Sequence, residues 1–305
     1  MKSYRPVALV TLTVLMIVWG STFLVTKESV REIPPFTLAA VRYLIASIVL
    51  GGIALGRNGR SLFHLPMSVR QLLNLSISGV ALFIVALNYA LLWGSVTQAA
   101  LIYALTPAAV AIAAVVALRE RLSPLRIVGI LLSIAGVLLV IATGKPSPTS
   151  PHPLWAAVAM LIVVAGWAAY TVTAKQLASR DQLVVAAWVV AAGSVMLLPL
   201  AAWEVARVGW PTVSVRGWVG VLFLGIVASG LAYVVYNWTL RHLEASVVGA
   251  LSNLDPIVGV LSAVIFLGEI MGPLQVVGGI AALGGMTMAT LQGNKGRQRE
   301  TRASG

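Results

Sequence analysis

The sequence predicts an all-α integral membrane protein, with ten transmembrane helices arranged as two inverted-topology five-helix repeats around a central cavity. Three observations predict it. Hydrophobic residues make up 59% of the 305 and charged residues only 10%, against roughly 25% charged in a soluble domain. Ten apolar stretches hold about 20 residues each, and a helix rising about 1.5 Å per residue then covers a ~30 Å hydrocarbon layer. The second half repeats the first at an offset near 149 residues, which superimposes Asn88 on Asn237, Pro107 on Pro256, Glu120 on Glu269, Pro124 on Pro273, Gly129 on Gly278 and Gly136 on Gly285. A duplicated unit with an odd number of spans must insert the second time upside down. Inverted repeats of this kind build two mirror-related conformations around one site, which is how secondary transporters are made.

The first repeat, residues 1–143, places spans at 6–27, 36–56, 71–93, 97–118 and 125–143. The second, residues 154–292, places them at 154–174, 182–203, 217–239, 245–267 and 273–291. Between them residues 144–153 carry four prolines, which exclude helix and suit an extended connector. Residues 293–305 are polar and basic without periodicity, a cytoplasmic tail expected to be disordered and to anchor the last helix at an anionic leaflet. Lys2 and Arg5 ahead of span 1 imitate a signal peptide, but the apolar run is longer than an h-region and no small-x-small cleavage site follows. Span 1 is also needed as the partner of span 6, so it reads as mature structure.

A net charge of +12 would suggest nucleic acid in a soluble chain. Here topology accounts for it. With the N-terminus in the cytoplasm, 15 basic residues fall on that side and five, Lys27, Arg31, Lys145, Arg207 and Arg216, on the other, with Arg42 inside span 2. That asymmetry places both termini inside. The basic residues are scattered over short loops and form no stripe, so no nucleic-acid partner is expected. The lipid bilayer is the main solvent. The chain has no cysteine, which excludes disulfides and thiolate metal sites.

Polar residues inside spans carry whatever chemistry exists. In span 1, Trp19, Thr22, Phe23 and Thr26 share one helical face. Trp167, Tyr170 and Thr171 repeat it in span 6, with Lys175 falling where Lys27 does, and Ser229, Tyr233, Tyr236 and Asn237 mark span 8. Asn88 in span 3 is a further candidate. Trp93, Trp203, Trp210 and Trp218, near span ends, read instead as an interfacial belt. Spans 4 and 9 are each interrupted by proline at matching positions, and such paired interruptions point to a transport site. Tyr103, Thr106 and Pro107 correspond there to Ser252, Asp255 and Pro256, so Pro107 and Pro256 are candidate hinges and the helices are expected to kink or break. Asp255, the acidic residue set well inside a span, reads equally as a helix cap or as a group that binds a substrate ammonium or exchanges a proton for it. Arg42, about seven residues in from Pro35, is expected to snorkel outward; holding a substrate carboxylate or pairing with Asp255 is the alternative. Glu120 and Glu269, at tight turns, suit caps or inter-helix latches. Gly129 with Ser133, and Ala281 with Gly285, make small-residue faces that fit close packing within the bundle or a dimer contact equally well.

The stretch from Trp19 to Phe23, the run from Arg42 to Ala46, the Leu-Thr-Pro ending at Pro107, and Glu120 to Pro124 followed by Gly129 and Gly136 resemble an EamA-type unit of the drug/metabolite transporter superfamily. The second half repeats the ending through Asp255, Pro256, Glu269, Pro273, Gly278 and Gly285. The resemblance covers the whole chain. It implies a bundle with a cavity lined by spans 1, 3, 4, 6, 8 and 9, and export of amino acids or other small metabolites. The second half has no counterpart to Arg42, and Asp255 stands where the first half has Thr106, so the halves are chemically unequal.

Enzymatic alternatives find little support. His64, His152 and His242 lie in loops, no HExxH or phosphate-binding glycine loop is present, and no cofactor, metal or catalytic group is implied. The reading is therefore an inner-membrane exporter, secondary active or facilitative, of small amine-bearing metabolites, amino acids first among them and aromatic or bulky apolar ones favoured, working by alternating access and drawing on a gradient of substrate or of ions such as protons. Its expected substrate-binding set is Trp19, Thr22, Asn88, Tyr103, Trp167, Tyr170, Tyr233, Asn237, Asn253 and Asp255. A drug or organic-cation extruder of the same fold is the alternative, followed by a non-transporting membrane scaffold or sensor.

Overall fold

The computed structural model describes residues 4–119, 122–145, 147, 149–240, 242–243 and 245–291. Glu120 and the tail from 293 onward lie outside the described residues. Among the described residues, nine helical stretches are long and apolar enough to cross a membrane: span 1 (Arg5–Ser29), span 2 (Pro35–Asn58), span 3 (Val69–Trp93), span 4 (Val96–Ala117), span 5 (Pro124–Ala142), span 6 (Pro153–Lys175), span 7 (Gln182–Val208), span 8 (Val215–Tyr236) and span 10 (Pro273–Thr290). Span 9 crosses in two pieces, Ala245–Ser252 and Leu254–Leu267. Proline opens spans 2, 5, 6 and 10, where its missing N–H would have no helical acceptor. Ser68 and Gln71 form a reciprocal capping box at the start of span 3.

The packing is two-fold. Span 1 packs on spans 9 and 8 as span 6 packs on 4 and 3; span 2 meets 7 and 8 as span 7 meets 2 and 3; and spans 4 with 9 and 5 with 10 form self-matching pairs. Exchanging each span for its counterpart in the other repeat leaves this pattern unchanged. Because each repeat has five crossings, the relating axis lies in the membrane plane, and the repeats are antiparallel copies.

One face of the bundle carries the connector and is called the linker face; the other carries Tyr4 and Leu291, the first and last described residues, and is called the terminal face. Carboxylates tie elements together at the linker face. Glu269 accepts the amide N–H groups of Val96 and Thr97 at 2.8 and 2.9 Å, capping span 4 from the turn after span 9. Glu204 accepts the Thr37 amide and hydroxyl at 2.7 and 2.8 Å and so caps span 2. At the terminal face Asn58 donates to Asp181 at 3.0 Å and Asn74 to Thr173 at 3.1 Å. Trp203, Trp210 and Trp218 project from the linker side as exposed side chains, as an interfacial belt requires.

Spans 5 and 10 consume their small residues on each other. A Cβ at Gly136 would lie 2.4 Å from the Ala282 nitrogen, and one at Gly285 would lie 2.4 Å from that of Ser133. The seam is therefore backbone against backbone, within one chain.

Two local departures from α-helix matter for the site. Span 3 contains a π-helical turn at Ile77–Ala81 and span 8 a longer one at Phe223–Leu231, and the repeat offset maps the first inside the second. Such turns widen the helix and re-aim carbonyls and side chains. Spans 4 and 9 are broken at Ala104–Leu105 and at Asn253, just ahead of Pro107 and Pro256.

Candidate functional site

A cavity of about 380 Å³ lies at the centre of the bundle. Span 1 lends it Met16, Trp19, Thr22 and Phe23; span 6 lends Trp167, Tyr170, Thr171 and Ala174; and span 8 lends Ala228, Ser229, Tyr233 and Tyr236. Tyr103, Thr106 and Pro107 of span 4 face Ser252 and Asp255 of span 9 across it. Spans 2 and 7 contribute too, through Arg42, Tyr43, Gln182, Val185 and Ala186, which the expected set of six lining spans omits.

Aromatic rings form most of the wall, and they touch. Trp167 stacks on Tyr170 with centroids 5.2 Å apart and meets Phe83 at 5.5 Å. Trp19 packs on Tyr236 at 5.3 Å, and Phe23 meets Tyr103 edge-on at 5.5 Å. Glycines admit this crowding: a Cβ at Gly79, in the π turn of span 3, would lie 2.2 Å from the Tyr170 ring. Gly20 performs the same service between spans, since a Cβ there would lie 2.5 Å from the Asp255 carbonyl oxygen.

Arg42 does not snorkel. Its side chain is 6% exposed, its Nε donates to Ser229 Oγ at 2.8 Å, and its guanidinium carbon lies 5.7 Å from the Tyr43 ring centroid. The helical phase of span 2 turns it toward the π segment of span 8, where Ser229 is re-aimed to receive it. Its Nη1 has no partner. Asp255 occupies the first turn of the second piece of span 9 but makes no side-chain cap, and its Oδ1 is also buried without a partner. Arg42 and Asp255 thus share one cavity without forming an ion pair. Each of these groups of opposite charge keeps a buried polar atom without a partner, which is expensive unless a ligand completes it.

Of the expected binding residues, Trp19, Thr22, Tyr103, Trp167, Tyr170, Tyr233 and Asp255 line the cavity, as does Pro107. Asn88 does not. It is fully buried, and its Nδ2 donates to the Pro35 carbonyl at 2.8 Å, binding span 3 to the start of span 2. Asn253 sits at the break of span 9, buried, with Oδ1 3.5 Å from Thr290 Oγ1 of span 10. Pro256 is buried and is not among the residues that line the cavity. The Asn237 side chain lies outside the described residues. Sequence reasoning did not single out Tyr43, Phe83 and Gln182 as lining residues, although Tyr43 directly follows Arg42.

A family model described as the EamA-like transporter family matches the chain twice, over residues 7–142 and 154–291. Among similar proteins, the uncharacterized transporter YetK of Bacillus subtilis is 27% identical over 93% of this chain and 87% of its own length. A "probable terminal-alkyne amino-acid exporter" of Streptantibioticus cattleyicolor is 27% identical over 100% and 99%. A "probable amino-acid metabolite efflux pump" of Salmonella typhimurium is 25% identical over 89% and 90%. A solved crystal structure superposes with a TM-score of 0.63 at 21% identity, covering 94% of this chain and 99% of the other, which establishes the likeness of fold. Two repeats matched over nearly their full length, on ten crossings that enclose one central cavity, make this multi-pass membrane protein a member of the EamA-like transporter family.

Proposed function

We propose that the protein exports amino acids across the bacterial inner membrane by alternating access, with its termini in the cytoplasm. The observation that carries this reading is the unpaired couple of Arg42 and Asp255 in one aromatic cavity. A free amino acid brings a carboxylate for the guanidinium and an ammonium for the carboxylate, so it satisfies both charges at once. The aromatic wall adds apolar area and cation–π attraction, each contact worth about 0.5–2 kcal/mol. Asp255 is also a group able to exchange a proton for the ammonium, which would couple export to a proton gradient. The names of the Streptantibioticus and Salmonella relatives support the substrate class. The excess of basic residues on the terminal face supports the orientation.

A second reading, an organic-cation or drug extruder, draws support from the preponderance of apolar atoms around Asp255. Arg42 argues against it, because a lone cation leaves the guanidinium unmatched. Counterflow in liposomes, with tryptophan, threonine and a hydrophobic cation as competitors, separates the two. Competition by tryptophan that is lost in both Arg42→Gln and Asp255→Asn supports the amino-acid reading. Competition by the cation alone overturns it, and no counterflow with any competitor returns the chain to a scaffold.

A further inference from the structure

Four hydroxyl groups that line the cavity share one property. Thr22 donates to the Trp19 carbonyl at 2.6 Å, Thr106 to that of Tyr103 at 2.6 Å, Thr171 to that of Trp167 at 2.8 Å and Ser252 to that of Val248 at 2.9 Å. A carbonyl oxygen only accepts, so each hydroxyl has spent its one hydrogen on the preceding turn of its own helix and keeps only lone pairs to offer. The repeat offset maps Thr22 onto Thr171 and Thr106 onto Asp255. Both halves therefore place an acceptor at that point of the broken spans, and only the second makes it a carboxylate. Three of the hydroxyls belong to the elements that meet at Asp255. Ser252 ends the first piece of span 9, just before the break, and Thr106 faces Asp255 from span 4. Thr22 follows Gly20, whose backbone abuts the Asp255 carbonyl. The Asp255 Oδ1 is a fourth acceptor there, buried and without a partner.

We propose that Thr22, Thr106 and Ser252 join Asp255 in an acceptor-only set that selects a primary ammonium, by its three N–H donors, over quaternary amines of the same charge. The proposal rests on the amino-acid reading and deepens it, by naming the amine class that the site accepts. Asp255 supplies attraction for any cation. The hydroxyl oxygens supply what charge alone does not, since a quaternary nitrogen turns methyl groups toward lone pairs and satisfies none of them. A site built to hydrogen-bond its ligand rejects an analogue that lacks the donor more strongly than an apolar pocket rejects a change of size. The hydroxyls of Tyr103 and Tyr236 carry their own hydrogens and can turn either way, so the discrimination belongs to Thr22, Thr106, Ser252 and the carboxylate.

Two matched pairs of ligands test it: tryptophan with N,N,N-trimethyltryptophan, and tryptamine with N,N,N-trimethyltryptamine. Each is titrated against the thermal midpoint of the purified full-length protein in detergent, which binding raises, to give an apparent dissociation constant. The primary amine of each pair is expected to bind about tenfold more tightly than its quaternary partner, the scale of one hydrogen bond to a charged group. In Thr106→Val and in Ser252→Ala the primary amines should weaken by about fivefold and the quaternary ones by less than about twofold, so that the gap narrows. A quaternary amine that binds as tightly as its primary partner overturns the proposal. A gap that persists unchanged in both variants overturns it too, because the discrimination is then one of size. Where one variant fails to fold, the other decides. The fate of the amino-acid reading is seen separately: tryptamine binding as tightly as tryptophan overturns that reading and leaves amine selection standing, and no shift with any of the four ligands overturns both.

Discussion

The indole Nε1–H of Trp19 in span 1 donates to the carbonyl oxygen of Ala228 at 3.0 Å, inside the π-helical stretch of span 8. The second lone pair of a helical carbonyl accepts such a side-chain donor. The neighbouring Ser229 holds Arg42, so one local distortion positions both an aromatic wall residue and the cavity cation. Trp19→Phe keeps the ring and removes the donor. A single neutral hydrogen bond contributes about 1 kcal/mol, so half-saturation in the transport assay should rise by roughly fivefold with little change in maximal rate. An unchanged half-saturation would mean that the indole is mere packing.

Glu204 tests the linker-face caps. The carboxylate is buried at the end of span 7 and receives the Thr37 amide and hydroxyl of span 2. Glu204→Ala leaves those donors unsatisfied, a loss of about 1–3 kcal/mol. The thermal midpoint in detergent should fall by several degrees while substrate selectivity stays the same.

The seam between spans 5 and 10 gives a paired comparison at adjacent positions. Gly285 faces the Ser133 nitrogen with no room for a methyl group, whereas a Cβ at Gly284 meets nothing within 4 Å. Gly285→Ala should therefore reduce folded yield sharply, and Gly284→Ala should leave it intact or raise it slightly, as helix propensity dictates. Monodisperse yield on size-exclusion chromatography measures both.

Asp181 carries a pH dependence. Burial raises its pKa, but hydrogen bonds from Asn58 and the Leu183 amide, with Arg57 nearby, outweigh burial and hold the carboxyl below its ordinary value. A depressed folded value means that the contribution is complete above the unfolded pKa and lost as pH falls through the folded one. Asp181→Ala should accordingly destabilise the protein at neutral pH and make no difference at pH values below the carboxylate range. Melting curves across an acid series read this directly.

The spans, the repeat offset and the aromatic stripes were legible because each follows from periodicity within one helix. Arg42 was not. Its phase on span 2 can be counted, but its partner Ser229 lies 187 residues away on a helix whose π turn no local pattern announces. Asn88 misled for the same reason, since a polar residue at mid-membrane serves a site or a neighbour's carbonyl equally well until the neighbour is known. Asp255 could be read from its proline-flanked position at the break of span 9, but that its Oδ1 is buried without a partner could not. The small-residue faces were legible as contacts, though not as contacts within a single chain.

The glycine seam has one further consequence. Spans 5 and 10 pair with each other across the pseudo-two-fold axis, and no span 5 residue and only Met286 of span 10 reaches the chamber. Fitness to fold and choice of cargo are thus written in nearly separate alphabets, one of glycines at the rim and one of rings and charges at the middle. Rewriting the second leaves the first untouched, so a duplicated scaffold of this kind can change what it carries without first having to relearn how to assemble.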